Sequence, residues 1–259
     1  MNQPLLLTAQ NSPLAFGQVQ LVATDMDGTL TTRGEFTDEL MQAFNRLRAS
    51  GLEVLIVTGR SAGWVSGIVN YLPVVGAIAE NGGLYIDKAK PEPVILPDIP
   101  RITHHRDRLS SVFNRLKSKY PALVPSVDNP YRITDWTFDI AGLEQADLAW
   151  LQETCEGQSM GFTYSTVQCH IKIPRQNKAA GLSKVLQQRF PNLDAASVVT
   201  VGDSPNDESL FEEQFPQSVG VANITHYLSE LKQVPTYITA AEEGKGFVEL
   251  ADYLVASKS

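Results

Sequence analysis

Leu21-Val22-Ala23-Thr24-Asp25-Met26-Asp27-Gly28-Thr29 is the stretch that decides how this chain is read. Its continuous apolar run suits a strand buried on both faces of a parallel sheet. The run ends in Asp25 and Asp27, and a glycine turn follows. Ligands of open α/β sheets bind beyond the carboxyl ends of the strands. A carboxylate pair there suits covalent phosphoryl transfer: the first attacks phosphorus and the second manages the leaving group's proton. Such a site also needs a metal, a phosphate clamp and a countercharge from elsewhere in the chain.

Outward from this run, the same texture recurs. β-rich segments at 19–24, 52–57, 75–79, 198–201, 219–221 and 236–238 are mostly continuously apolar, as in central parallel strands. Helical patterns lie between them. Residues 38–50 put Leu40, Phe44 and Leu47 on one face, with Thr37 as N-cap and Gly51 past the end. Ser61 caps a second helix, 178–190 forms a third, Pro205 opens a fourth, and a last helix covers 246–256. This alternation predicts an α/β doubly wound parallel sheet.

Residues 88–168 differ in texture. Lys90-Pro91-Glu92-Pro93 marks a linker-like entry, and a helix follows with Ile102, Leu109, Val112, Phe113 and Leu116 on one face. Segment 131–140 then alternates, a helix covers 144–157, and short strands follow at 162–165 and 168–173. The pattern predicts an inserted α+β cap whose antiparallel sheet has one covered face. The expected division is a tail or short edge segment at 1–17, a core at 18–87 and 169–259, and a cap at 88–168.

Composition bounds the possible partners. The 259 residues carry 43% hydrophobic and 19% charged side chains, ordinary for a globular chain with a real core. A net charge of -8 argues against nucleic acid or an anionic membrane as partner. Two cysteines make no disulfide framework and have no metal-ligand spacing. The apolar patch Leu5-Leu6-Leu7 is too short for a signal peptide or a membrane span. A cytoplasmic protein is the expectation, and nothing in the pattern specifies an oligomeric state.

Three further segments carry chemistry. Thr58-Gly59-Arg60 follows a strand and can offer a hydroxyl and backbone N–H groups to phosphate, or form a simple turn and helix cap. Gly202-Asp203-Ser204-Pro205-Asn206-Asp207 gathers hard oxygen ligands suited to Mg²⁺, or forms an Asx turn capping the next helix. Lys178, at a helix start, can neutralise a nucleophilic carboxylate or lie solvated at the surface.

Together, in this order, these segments resemble the four motifs of the haloacid dehalogenase-like (HAD) superfamily. The long insertion between Thr58 and Lys178 resembles the cap of its subclass IIB, which includes the Cof-like, sucrose-phosphate and mannosyl-3-phosphoglycerate phosphatases and the phosphomannomutases. Glu80-Asn81-Gly82-Gly83 resembles the Asn-Gly segment before that cap. The resemblance implies a Rossmann-like core. It also implies that Asp25 is the nucleophile forming an aspartyl-phosphate and that Asp27 is the general acid/base. Mg²⁺ ligands are then the Asp25 carboxylate, the Asp27 carbonyl and Asp203, with Asn206 and Asp207 on the metal's waters or on Lys178. Thr58 and the backbone near Gly28 and Gly59 hold the phosphoryl oxygens, and Arg60 and Asn81 complete the substrate site. The implied activity is hydrolysis of a small phosphate monoester, a sugar phosphate by family preference.

Arg60 reads equally as a surface helix-start arginine. Cap residues Arg132, Trp136, His170 and Lys172 could face the cleft, but the charged ones read first as a solvated strand face and Trp136 as sheet packing; His104 and His105 read as solvated helix residues. Two competing functions stand beside hydrolysis: a sugar phosphomutase, and a receiver-like domain that stores phosphate on aspartate for signalling. The receiver fits less well, since it lacks an inserted cap.

Overall fold

The computed structural model describes residues 3–11, 16–90, 92–165 and 167–258. Two sheets organise them. The larger contains β1 (Leu5–Leu6), β2 (Leu21–Thr24), β3 (Glu53–Val57), β4 (Gly76–Ala79), β5 (Leu84–Asp87) and β6 (Val94–Ile95), together with β10 (Val198–Gly202), β11 (Ser218–Gly220) and β12 (Tyr237–Ile238). Its order is β1-β12-β11-β10-β2-β3-β4-β5-β6. Neighbours run parallel from β1 to β4, while β5 and β6 add antiparallel. The smaller sheet contains β7 (Asp135–Asp139), β8 (Gly161–Tyr164) and β9 (Gln168–Lys172), in the order β7-β9-β8 and wholly antiparallel.

The helices are α1 (Asp38–Ala49), α2 (Ala62–Tyr71), α3 (Ile102–Lys119), α4 (Gln145–Glu156), α5 (Lys178–Arg189) and α6 (Glu243–Ala256). Three of them start where the sequence predicts, whereas α6 begins three residues before the expected 246. The Thr37 hydroxyl accepts from the Leu40 N–H and the Ser61 hydroxyl from the Trp64 N–H. Asn177 does the same for α5 through the Ala180 N–H. Each such cap stabilises its helix by about 1 kcal/mol.

Both faces of the large sheet are covered, which is why its central strands are continuously apolar. One face packs Val22, Val54 and Ile56 with Leu40 and Phe44 of α1, Val65 of α2 and Phe247 of α6. The other packs Leu21, Leu55 and Ile78 with Leu182 of α5 and with Phe211. The result is the doubly wound α/β core expected from the alternation, with an α+β unit inserted in it. No helix among the described residues is long and apolar enough to cross a membrane.

Several details depart from the sequence reading. The hairpin β5–β6 extends the core sheet at the entry to the insertion; only the short apolar run Leu84-Tyr85-Ile86 announces it. Residues Pro205–Phe211 form a 3₁₀ turn rather than an α-helix. By sheet membership β6 lies with the core and β9 with the cap. We therefore propose cap limits of 97 and 173 in place of 88 and 168. Leu5–Leu6 forms a short edge strand on β12. Residues 1, 2 and 12–15 of the expected tail, and Pro91 of the proline-rich entry, lie outside the described residues.

The cap sheet differs most. One face packs Phe138, Cys169 and Ile171 against α3 and α4, as predicted. The other is not solvated: Asp135, Thr137, His170 and Lys172 are all buried. Pairing sets Thr137 opposite His170 and Asp135 opposite Lys172, so these residues share one face. That face is polar where it closes onto the core, with His170 against Gly59.

Candidate active site

The β2 end carries Asp25, and β10, its neighbour in the sheet, carries Asp203. Lys178, at the start of α5, reaches across: its Nζ lies 2.5 Å from Asp25 Oδ1 and 2.5 Å from Asp207 Oδ1. All three side chains are nearly or wholly buried. Asp25, Asp203 and Asp207 can each bring a carboxylate oxygen within 4.8 Å of the others.

Three carboxylates therefore face one ammonium. Burial pushes the Asp25 carboxyl up to about 7; Lys178 opposes this, while Asp207 and Asp27 add to it. Burial, Asp25 and Asp207 hold Asp203 well above the usual carboxylate range. Burial works against the charge on Lys178, but Asp207 and Asp25 outweigh it and raise its pKa. The cluster is short of positive charge, and its free donors are hard oxygens. This is the donor chemistry a divalent cation such as Mg²⁺ needs.

The three acidic groups differ in what remains open. Asp207 Oδ1 is on Lys178, and its Oδ2 accepts from the N–H groups of Asp203 and Ser204 at 3.0 and 3.2 Å. Asp203 accepts from the Thr29 hydroxyl at 3.0 Å and from Asn223 Nδ2 at 2.9 Å, with no cationic side chain on it. Asn223, from the turn after β11, also bonds the Gly28 carbonyl at 3.1 Å. Sequence reasoning missed Asn223; its one signal is its place just after the strand run 219–221. Asn206 commits its carboxamide to Asn81 Oδ1, at 3.1 Å, and to the Ser204 hydroxyl.

Gly28 has φ +79, and a Cβ there would come within 2.5 Å of Asp203 Oδ2. Only glycine satisfies both demands. Its N–H is taken by the Thr31 hydroxyl at 3.0 Å. The N–H groups of Met26, Asp27 and Gly59 make no hydrogen bond among the described residues, so the free donors are Gly59 itself and the two residues before Gly28. Thr58 is buried beside them, its Oγ1 accepting from the Arg60 N–H at 3.2 Å.

Arg60 is not a bystander. Its Nε and Nη2 bond the two Asp27 oxygens at 2.8 and 2.6 Å, and its guanidinium stacks on Trp64. The cleft is lined by Asp25, Asp27, Thr58, Arg60, His170 and Asn206 among others, and its free volume is about 20 Å³. That is room for about one water.

The cap closes the site through a buried ionic network. Arg132 bonds Asp128, both Asp135 oxygens, Gln168 and the Gly59 carbonyl. His170 Nδ1 lies 2.8 Å from Asp135 Oδ2. Lys172 donates to the Gln176 carbonyl at 2.6 Å, and burial brings its pKa down to about 8. His105 is buried with Nε2 on the Thr134 carbonyl, and Arg106 stacks on Trp136. The solvated readings of Arg132, His170, Lys172 and His105 are thus overturned. In a lone sequence a polar strand face looks the same whether it meets water or another domain.

Glu80 ties the two halves. Its carboxylate accepts from the N–H groups of Ala62, Ile133 and Thr134 and from the Thr134 hydroxyl. Glu80 and Asn81 both hold positive φ, 54° and 52°, an uncommon backbone for residues other than glycine. Such strain persists only where surroundings over-determine it. Asn81 Nδ2 is buried without a partner among the described residues.

Comparison with known proteins agrees with this geometry. A family model described as haloacid dehalogenase-like hydrolase matches residues 22–101 and 101–250. Phosphoglycolate phosphatase 1 of Saccharolobus solfataricus is 30% identical over 242 residues, covering 92% of this chain and 96% of its own. The phosphoglycolate phosphatase of Metallosphaera sedula is 26% identical over 243 residues, covering 92% and 100%. Among solved structures, a Thermoplasma acidophilum protein superposes with a TM-score of 0.75 at 19% identity, covering 92% of this chain and 98% of its own. The C-terminal domain of a Candida albicans trehalose-6-phosphate phosphatase gives 0.72 at 15%, covering 98% of each. The chain belongs to the haloacid dehalogenase-like hydrolases, in the subclass IIB branch, and is a phosphoric monoester hydrolase. That removes the receiver-like signalling domain.

Proposed function

We propose that this haloacid dehalogenase-like hydrolase is a Mg²⁺-dependent phosphatase of phosphoglycolate or a phosphate monoester of similar size. The observation that carries the reading is the buried Asp25–Lys178–Asp207–Asp203 cluster, short of positive charge, at the carboxyl ends of β2 and β10. The names of the relatives favour a small phosphorylated acid over the sugar phosphate expected from family preference.

Asp25 attacks phosphorus through one carboxylate oxygen, and the bond from phosphorus to the leaving oxygen breaks. Asp27, released from Arg60, gives that oxygen its proton and later takes one from water. The water oxygen attacks the aspartyl-phosphate, the Asp25–phosphorus link breaks, and inorganic phosphate leaves. Thr58 and the free N–H groups of Met26, Asp27 and Gly59 hold the phosphoryl oxygens, and Asn81 Nδ2 supplies a further donor. Lys178 offsets the charge on Asp25, and Asp207 holds Lys178 in place.

Asp25, Asp203 and the Asp27 carbonyl would hold Mg²⁺, with Asn206 and Asp207 supporting from behind. When bound, the ion lowers the repulsion between an anionic nucleophile and an anionic phosphate.

The test is a panel of phosphoglycolate, short-chain phosphate esters and sugar phosphates, assayed with Mg²⁺ and with EDTA. Phosphoglycolate should lead the panel and EDTA should abolish turnover; full activity without divalent metal would sink the reading. Release of inorganic phosphate, rather than an isomeric sugar phosphate, separates phosphatase from phosphomutase.

A further inference from the structure

The polar face of the cap sheet puts one titratable ring into the cleft. His170 lines it opposite Asp25, Asp27 and Thr58. A Cβ on Gly59 would come within 3.1 Å of the His170 Cε1, so the ring sits directly over the phosphate-binding turn.

Its tautomer is set by the network behind it. His170 Nδ1 faces Asp135 Oδ2 at 2.8 Å. Burial works against the Asp135 charge, but Arg132 and His170 outweigh it and keep the carboxyl below its ordinary range. An ionised carboxylate only accepts, so Nδ1 carries the proton. Nε2 is then the open position of the ring, and among the described residues no protein group bonds it. A neutral ring offers a hydrogen-bond acceptor there; an imidazolium offers a donor.

We propose that His170 determines specificity by contacting the end of the leaving group through Nε2. As imidazolium it donates to a terminal carboxylate, and as neutral imidazole it accepts from a terminal hydroxyl. The proposal rests on the small-substrate phosphatase reading above and deepens it. The charged groups facing the ring are Asp135 on β7, Arg132 just before it, Lys172 on its own strand, and Asp25, Asp27 and Arg60 across the cleft. Burial, with Arg132 and Lys172, holds the free ring below its ordinary range, and Asp135 opposes them. A substrate carboxylate therefore brings a proton in with it.

The test compares two esters of like size: phosphoglycolate, ending in a carboxylate, and 2-hydroxyethyl phosphate, ending in a hydroxyl. The Mg²⁺-loaded enzyme is assayed with each from about pH 5.5 to about pH 8, spanning the ordinary imidazole range. Taking the ratio of the two kcat/KM values cancels the nucleophile, the acid/base, the metal and the phosphate titration, which both esters share. The ratio should fall as pH rises, by up to about tenfold per pH unit. His170→Gln keeps an amide donor in place and should turn over both esters with a ratio independent of pH. A flat ratio in the unmodified enzyme, or an unchanged slope in the variant, would overturn the role of His170 while leaving the phosphatase reading intact. If p-nitrophenyl phosphate is hydrolysed but neither ester is, the small-substrate reading fails and the His170 proposal with it. Should His170→Gln not fold, calorimetry of Asp25→Asn with Mg²⁺ in two buffers decides. Phosphoglycolate should take up about one more proton than 2-hydroxyethyl phosphate, and equal uptake would overturn the proposal.

Discussion

Two ionic clusters meet at one cleft, and they are built on opposite principles. The core cluster has three carboxylates and one lysine, and burial together with its like charges raises both Asp25 and Asp203. The cap junction joins Arg132, Asp128, Asp135, His170 and Gln168 so that donors meet acceptors. A charge deficit costs stability and prepares a place for a cation and a phosphate. A satisfied network does the reverse and holds the cap in one register over the core.

The sharpest separation is in activity. Asp25→Asn should lower kcat by about 10⁴-fold or more, measured as phosphate release from phosphoglycolate with Mg²⁺. Near-normal turnover would break the assignment of the core cluster as the reacting site.

Stability should then move in opposite directions. Arg132→Met leaves buried Asp135 and half-buried Asp128 without their cation and should cost about 3–5 kcal/mol in urea unfolding. Asp203→Asn removes a carboxylate that no cationic side chain contacts, and should stabilise the metal-free protein by about 1 kcal/mol while weakening Mg²⁺ binding. If both variants were destabilised alike, the contrast between a frustrated and a satisfied cluster would fail.

The junction carries its own pH signature through Glu80. Burial, with Asp135 nearby, raises this carboxyl from 4.5 to about 7, against the pull of its Thr134 bond and Arg132. The folded state therefore binds a proton that the unfolded state has lost. Glu80 favours folding below about pH 4.5, and its contribution falls as pH rises to about 7, by about 3 kcal/mol. Glu80→Gln should remove that slope from urea unfolding measured across this window.

The smallest stability effect belongs to Arg60, which is partly exposed, as is its partner Asp27. Arg60→Ala should change stability by less than about 1 kcal/mol yet lower kcat/KM about tenfold. A large loss of stability would mark this pair as structural.

Much of the core was legible in one sequence because strand ends announce themselves. Asp25, Thr58 and Asp203 each follow a continuous apolar run, and Thr37, Ser61 and Asn177 mark helix starts by local hydrogen bonds. Lys178 reads as a surface residue until the neighbouring motifs are weighed with it. The cap was legible only as texture. Its alternation separates Phe138 and Ile171 from Asp135 and His170 but does not say what the second face meets. Glu80, Asn223 and the hairpin β5–β6 carried little or no local signal, because their bonds run to partners far along the chain.

By itself, then, the sequence determined the sheet-end motifs and the presence of an inserted unit, since apolar period and short-range capping are local properties. Only the tertiary structure decided that Arg60 clamps Asp27, that the polar cap face is buried, and that Asp135 holds His170 by Nδ1 at the cleft. Those contacts depend on where distant segments meet. Burial then turns ordinary charges into either a deficit or a lock.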